Sequence, residues 1–186
     1  FSIGPKGGVA STTGTYVYAK GKYYVVTVMH GLVGPCDVTR IWTKEDGFIP
    51  CKSIVAGNPM IDYAIIEIDP LESLKAINIP RSLPRANEWK ALLSAYAPLY
   101  YTGFPNSTGP LTFAGRIAGY ADGDYIYMHS FAWGGASGSG VFSANGDFVG
   151  YILAIDIGET DYGVDVLEDI VIVVPAFKID WATILK

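Results

Sequence analysis

The chain has 186 residues, half of them hydrophobic, 13% aromatic and only 17% charged, enough apolar material to bury a core and too much for general disorder. Thirteen basic residues against 18 acidic ones give a net charge of −5 with no basic cluster, which excludes nucleic acid as an expected partner. The most apolar stretch, Ile170 to Val174, is far too short to span a bilayer, and the first twenty residues lack the layout of a signal peptide. With only His30, His129, Cys36 and Cys51 available, no zinc-ligand spacing can be assembled, so neither metal nor cofactor is expected. Phe1 in place of Met suggests a processed product or a domain cut from a longer chain. The two cysteines are read as reduced thiols, the alternative being one bridge across a hairpin, and they favour a reducing intracellular compartment.

In chain order, short β-branched and aromatic runs punctuated by 22 glycines and 11 prolines predict an all-β protein. The predicted strands are Thr15–Ala19, Tyr23–Thr27, Val38–Thr43, Ile49–Ala56, Ala64–Ile68, Trp89–Ser94, Ala114–Tyr120, Tyr125–His129, Gly140–Phe142, Phe148–Ile155 and Ile170–Val174. Strands at this spacing call for closed or sandwiched antiparallel sheets. One helix is predicted at the end, from Ala176 to Leu185, with Phe177, Trp181, Ile184 and Leu185 on one face. The proline-bearing stretch from Pro70 to Pro84 is read as a connector, giving two β units at residues 1–75 and 76–186.

The segment Gly134-Gly135-Ala136-Ser137-Gly138-Ser139-Gly140 carries the strongest chemical signal. Small neighbours expose a serine hydroxyl, and glycines let backbone N–H groups turn toward an oxygen that develops negative charge; the plain alternative is a Gly/Ser-rich turn. A serine nucleophile needs a base and the base needs an acid. His30 stands where the apolar run Tyr24 to Met29 gives way to a turn, whereas His129 is only eight residues from Ser137 and would crowd base and nucleophile into one loop. No histidine follows Ser137, and no aspartate precedes Asp37, so the order histidine, acid, serine is the workable one. Asp62, at the entrance of the apolar run Tyr63 to Ile68, is the candidate acid, although a turn residue opening a strand has the same local look.

These segments resemble the chymotrypsin/trypsin-like serine peptidases over nearly the whole chain. Thr27-Val28-Met29-His30 is similar to the family's T-A-A-H, Asp62-Tyr63-Ala64-Ile65-Ile66 to its D-I-A-L-L, and Gly135-Ala136-Ser137-Gly138-Ser139-Gly140 to its G-D-S-G-G-P. The short loops resemble compact HtrA-type or viral members. The resemblance implies two six-stranded antiparallel barrels with a C-terminal helix and a site between them. It implies Ser137 as nucleophile, His30 as general base and then acid, Asp62 as the group that orients the imidazole, and the N–H groups of Gly135 and Ser137 as oxyanion hole. The first substrate pocket is bordered on this reading by Phe131, Ala132, Trp133 and Gly134 and by Leu153, Ala154 and Ile155, walls without a carboxylate that suit small or apolar side chains.

Ala136 replaces the aspartate with which zymogen-type relatives pair a freed amino terminus, so that route of activation is absent. The expected function is therefore a serine endopeptidase acting on polypeptides, in a viral setting a polyprotein-processing enzyme in host cytoplasm. A catalytically inactive binding or virion structural domain on the same fold is the alternative. The oligomeric state is left open by the sequence.

Overall fold

The computed structural model describes residues 1–92, 94, 96–160 and 163–186, with the side chains of 90, 91, 154–160 and 163–168 outside that description. The first half holds β1 (Ser2–Ile3), β2 (Val9–Ala10), β3 (Thr15–Ala19), β4 (Lys22–Thr27), β5 (Arg40–Thr43), β6 (Gly47–Pro50), β7 (Ser53–Asn58), β8 (Tyr63–Ile68) and β9 (Ile77–Asn78). The second holds α1 (Ala86–Leu92), β10 (Pro98–Gly103), β11 (Leu111–Tyr120), β12 (Ile126–His129), β13 (Gly140–Ser143), β14 (Phe148–Thr160), β15 (Gly163–Pro175) and α2 (Ala182–Leu185).

The second half is a closed antiparallel barrel of order β10-β11-β12-β15-β14-β13 around Leu99, Tyr101, Ile117, Met128, Val141 and Val149. The first half is a five-stranded sheet, β7-β8-β4-β3-β9, with β5 and β6 paired only to each other. The expected mainly β architecture is present, but only one of the two expected six-stranded barrels is closed; the first half is a five-stranded sheet beside a hairpin that does not join it.

β4 and β8 read as continuous apolar runs because both of their faces are covered. Val26 and Ile65 face the core between the halves, with Phe148, Tyr151 and Trp181 from the second half. Their neighbours Val25 and Ile66 point the other way, toward the β5–β6 hairpin, with Ile68, Leu71 and Cys51. Side-chain alternation along a strand produces this division.

The reduced-thiol expectation is corrected: Cys36 and Cys51 form a disulfide with Cα atoms 5.3 Å apart. The two residues flank the β5–β6 hairpin, so antiparallel return of the chain brings them together, and the bond closes the hairpin where no ladder ties it to the main sheet. The ground for expecting a reducing compartment goes with it.

Several element predictions also differ, three of them in the interior of the element and not only at its ends. Trp89–Ser94 was expected as a strand, but residues 86–92 form α1; its start is held by the Glu88 carboxylate, which accepts the Arg85 N–H at 2.6 Å. Trp89 then meets Phe177 edge-on with ring centres 5.0 Å apart, while Leu93 of the expected strand lies outside the described residues. The terminal helix is split into a 3-10 turn, Ala176–Lys178, and α2. Between them the Asp180 N–H donates to the Tyr63 hydroxyl at 3.2 Å and the Trp181 indole N–H to the Ala176 carbonyl at 2.9 Å, side-chain bonds that compete with helix continuation. The run expected as one strand, Ile49–Ala56, is broken at Cys51 and Lys52 between β6 and β7.

Tyr101 is fully buried in the barrel and its hydroxyl donates to the Phe131 carbonyl. Burial pushes its phenol from 10.0 up to about 12. The unfolded chain then releases this proton first as pH rises, so stability falls from about pH 10 toward pH 12. The thermal midpoint of Tyr101→Phe is expected to decline less between about pH 9 and pH 11 than that of the wild type. Parallel declines in scanning calorimetry would remove Tyr101 from the account.

Candidate active site

β4 ends at Thr27, and the chain turns through the 3-10 segment Met29–Gly31, which leaves His30 exposed beside the start of β8. Asp62 stands at that start with φ 65°, a left-handed conformation that aspartate tolerates better than most residues. The turn is held by the Asp62 N–H donating to the Asn58 carbonyl at 2.8 Å. From this position the Asp62 carboxylate grips His30 twice. One oxygen accepts the His30 backbone N–H at 2.8 Å and the other lies 2.5 Å from Nδ1. An ionised carboxylate only accepts, so Nδ1 donates to it and Nε2 is the ring nitrogen left for another partner.

Ser137 belongs to the turn that leads into β13, and almost every carbonyl of this turn is held. Gly134 O accepts from Asn106 N–H at 2.6 Å, Ala136 O from Ser139 N–H at 3.0 Å and Ser139 Oγ at 2.5 Å, and Ser137 O from Thr13 N–H at 2.9 Å. The Ala136 and Gly138 N–H groups are engaged by the Trp133 and Ile152 carbonyls, at 3.0 and 2.7 Å. Among the described residues the N–H groups of Gly135 and Ser137 have no acceptor in the protein. In a trans peptide C=O and N–H point oppositely, so fixing Gly134 O and Ala136 O aims these two free N–H groups the other way. Unengaged backbone donors are one requirement for binding an oxyanion.

The two halves of the site are joined by Tyr151 and Thr13. The Tyr151 hydroxyl, on β14 of the barrel, donates toward the Ile61 and Asp62 carbonyls at 3.1 and 3.3 Å. Burial and the Asp62 charge push its phenol well above the ordinary range, which keeps it a donor. Thr13, buried at the end of the segment before β3, has every polar atom engaged. Its N–H reaches Ser137 O, its carbonyl accepts from Thr27 Oγ1 at 2.8 Å, and its Oγ1 donates to Gly135 O at 2.7 Å while accepting Phe104 N–H at 3.0 Å. Ser137 is thereby linked through one residue to Thr27, three positions before His30. Ser137 Oγ itself makes no hydrogen bond to His30 within 3.5 Å.

The pocket residues are dispersed over different surroundings. Phe131 and Trp133 are exposed and stack on each other with ring centres 6.2 Å apart, Gly134 is exposed, and Ala132 packs partly against the barrel core. Leu153 packs against the core between the halves, and the side chains of Ala154 and Ile155 lie outside the described residues. His129 is exposed at the end of β12, paired in register with Arg116 and Ile170, and makes no hydrogen bond to the Ser137 turn. Ala136 is buried in the barrel core, so apolar packing stands where zymogen-type relatives place an ion pair.

The match to the family model described as the trypsin-like peptidase domain runs over residues 12–150, from the Thr12-Thr13 segment through the Ser137 turn into β14. The chain belongs to the trypsin-like peptidase domains. Its fold is shared with the HtrA-type protease AlgW solved with a decapeptide, at 20% identity and a TM-score of 0.65 over 90% of this chain and 48% of that one. The chain thus spans about half the length of AlgW. An inactive serine-to-alanine mutant of Rv3671c from M. tuberculosis matches at 17% identity and a TM-score of 0.66, over 93% of this chain and 80% of that one. A serine endoprotease from Yersinia pestis matches at 20% identity and a TM-score of 0.64, over 93% and 58%. No curated protein matches the sequence.

Within this trypsin-like domain, Thr13, Asn106 and Tyr151 were not identified from the sequence. A threonine in Ser-Thr-Thr-Gly-Thr, an asparagine in a loop and a tyrosine in a strand carry no local mark of their long-range partners. Thr13→Val is expected to lower kcat by about 10-fold, the scale of one or two hydrogen bonds to a polar group that loses its partner, with KM nearly unchanged and Thr13→Ser retaining most of the rate. Equal losses in the Val and Ser variants would assign Thr13 to methyl packing instead.

Proposed function

We propose that this trypsin-like domain is a serine endopeptidase with Ser137 as nucleophile, His30 as general base and then acid, and Asp62 as the group orienting the imidazole. The observation that carries the reading is the double grip of Asp62 on His30, with Nδ1 at 2.5 Å and the backbone N–H at 2.8 Å, which leaves Nε2 as the acceptor. In the first step Ser137 Oγ bonds to the scissile carbonyl carbon and its proton passes to Nε2. The negative oxygen is received by the Gly135 and Ser137 N–H groups, each such donor being worth about 3–4 kcal/mol at the transition state. The C–N bond then breaks as Nε2 returns the proton to the leaving amine. Water, deprotonated by the same nitrogen, releases the acyl group from Ser137.

The absence of a Ser137 to His30 hydrogen bond within 3.5 Å favours the second reading, a non-catalytic binding domain on the same fold. Unliganded active sites also show long nucleophile to base distances that shorten with substrate, and the unengaged oxyanion donors support the catalytic reading. Labelling by a fluorophosphonate decides between them: a single adduct on Ser137, lost in Ser137→Ala and in His30→Ala, is expected. A folded wild type that resists the reagent establishes the binding domain.

The acyl-side pocket is proposed on the Phe131 to Gly134 wall with Leu153, favouring small or apolar side chains. Polyprotein processing in a viral setting is the narrower form of the proposal, and its test is a longer precursor that matures by itself as wild type and stays intact as Ser137→Ala. The disulfide supports an oxidising compartment over the host cytoplasm.

A further inference from the structure

A cavity of about 350 Å³ opens beside the Ser137 turn and runs into the first half of the molecule, beneath the β5–β6 hairpin. It exists because β5 and β6 do not join the main sheet, so the half that would be a filled barrel stays open on one side. Its volume lies within the range of about 300–1,000 Å³ typical of small-ligand sites. The floor is apolar, with Val25, Ile66 and Leu71 all buried. The mouth is crossed by an edge-to-face pair, Trp42 from the hairpin and Phe104 from the barrel, with ring centres 6.1 Å apart.

Its charged lining side chains, Arg40, Lys44 and Glu45, are exposed, the Arg40 guanidinium is already bonded to the Asp37 and Thr39 carbonyls, and the Phe1 terminal ammonium donates to the Arg40 carbonyl at 3.0 Å. The Tyr16 hydroxyl is engaged as the acceptor of Leu71 N–H at 2.9 Å. Nothing on the floor is arranged to receive a charge.

The position relative to the reacting atoms selects an occupant. The lining includes Gly135, one of the free N–H donors, and Gly31 and Leu32, which directly follow His30. It includes none of Phe131, Ala132, Trp133, Gly134 or Leu153. A polypeptide whose carbonyl oxygen lies on the Gly135 and Ser137 N–H groups, with its acyl side on that wall, carries its leaving amine past His30 and therefore toward the cavity.

Resting on the endopeptidase reading, we infer that this cavity selects a large apolar side chain, aromatic or leucine-like, at the first residue on the leaving-group side of the scissile bond. The specificity of the domain is then set on both sides of that bond, with its deepest apolar contact in the half that does not carry the nucleophile.

Acyl transfer tests this separately from the chemistry. A panel of p-nitrophenyl esters of N-acylated amino acids forms the acyl-enzyme with no residue on the leaving-group side. Added amino-acid amides then compete with water: the amine nitrogen bonds to the acyl carbon, the bond to Ser137 Oγ breaks, and the amine proton passes through His30 to that oxygen. The ratio of aminolysis to hydrolysis is expected to be about 10- to 100-fold higher for phenylalaninamide and leucinamide than for glycinamide or aspartic acid amide.

Trp42→Ala at the mouth, and Leu74→Glu, which adds a charge at an exposed lining position, are each expected to reduce that preference several-fold, while His129→Ala retains it. Equal ratios for all four amides with normal ester turnover overturn the cavity assignment alone, as does a preference untouched in both folded variants. Failure of every ester, with Ser137 unlabelled by fluorophosphonate, overturns the endopeptidase reading and the inference with it.

Discussion

Asp62→Asn is expected to lower turnover by about 10⁴-fold while the protein stays folded, the magnitude seen when the same exchange is made in a serine protease triad. The amide is nearly isosteric with the carboxylate, and its oxygen still accepts the His30 backbone N–H now bound at 2.8 Å. Its NH₂ group faces the ring and donates to Nδ1 in place of accepting from it. The proton is thereby driven to Nε2, the nitrogen that must be free to receive the Ser137 proton. The positive imidazole of the transition state also loses its counter-charge. Because Asp62 is partly exposed and its left-handed backbone suits asparagine equally well, the thermal midpoint moves little. The measurement is kcat on a nitrophenyl ester beside a melting curve. A folded Asp62→Asn protein with wild-type turnover would falsify the triad assignment.

Gly138→Ala produces the other large effect, this time on stability and rate together. Gly138 has φ +88°, and a Cβ there would lie 2.0 Å from the Thr13 carbonyl oxygen and 2.8 Å from Thr27 Oγ1. The clash therefore falls on the bond from Thr27 to Thr13 that links the Ser137 turn to the segment before His30. Gly146, at φ +83° in the β13–β14 turn, has nothing within 4 Å of its Cβ position. Gly146→Ala accordingly isolates the conformational term, about 1 kcal/mol, whereas Gly138→Ala adds backbone displacement and a lost hydrogen bond for a total of about 3–4 kcal/mol. In a domain of this size that is a fall of roughly 10 °C in Tm. Rate is expected to fall as well, because moving Thr13 releases the Gly135 and Ser137 carbonyls and so loosens the turn on either side of the peptide groups that carry the proposed oxyanion donors, each worth about 10²-fold or more. Equal melting temperatures for the two variants would show that the seam yields without cost.

Part of the proposed site was legible in the sequence because a proton relay needs particular functional groups, and few were available. Two histidines, a serine in a glycine-rich turn and an aspartate opening an apolar run left little choice, and His30 and Asp62 do meet. Alternation in β3 and continuous β-branched and aromatic runs in β4 and β8 located these strands within a residue, because both patterns are local. Trp89 to Ser94 was misread because Trp, Ala and Leu serve a strand or a helix equally, and the Glu88 to Arg85 bond that decides the matter is a helix-end contact. The disulfide stood only as the alternative because cysteine number says little about distance, whereas the hairpin between Cys36 and Cys51 returns the chain on itself.

By itself, then, the sequence determined the all-β character, the kinds of group that can do chemistry and the order in which they occur, since these depend on side-chain identity and short-range pattern. Only the tertiary structure decided which N–H groups stay free at Gly135 and Ser137, that Thr13 and Tyr151 clasp the two halves, and that the first half stays open beneath its hairpin. A backbone group's partner is set by whichever distant segment the topology lays beside it. From Thr13 to Gly135 that segment is 122 residues away, a separation across which no local pattern carries information.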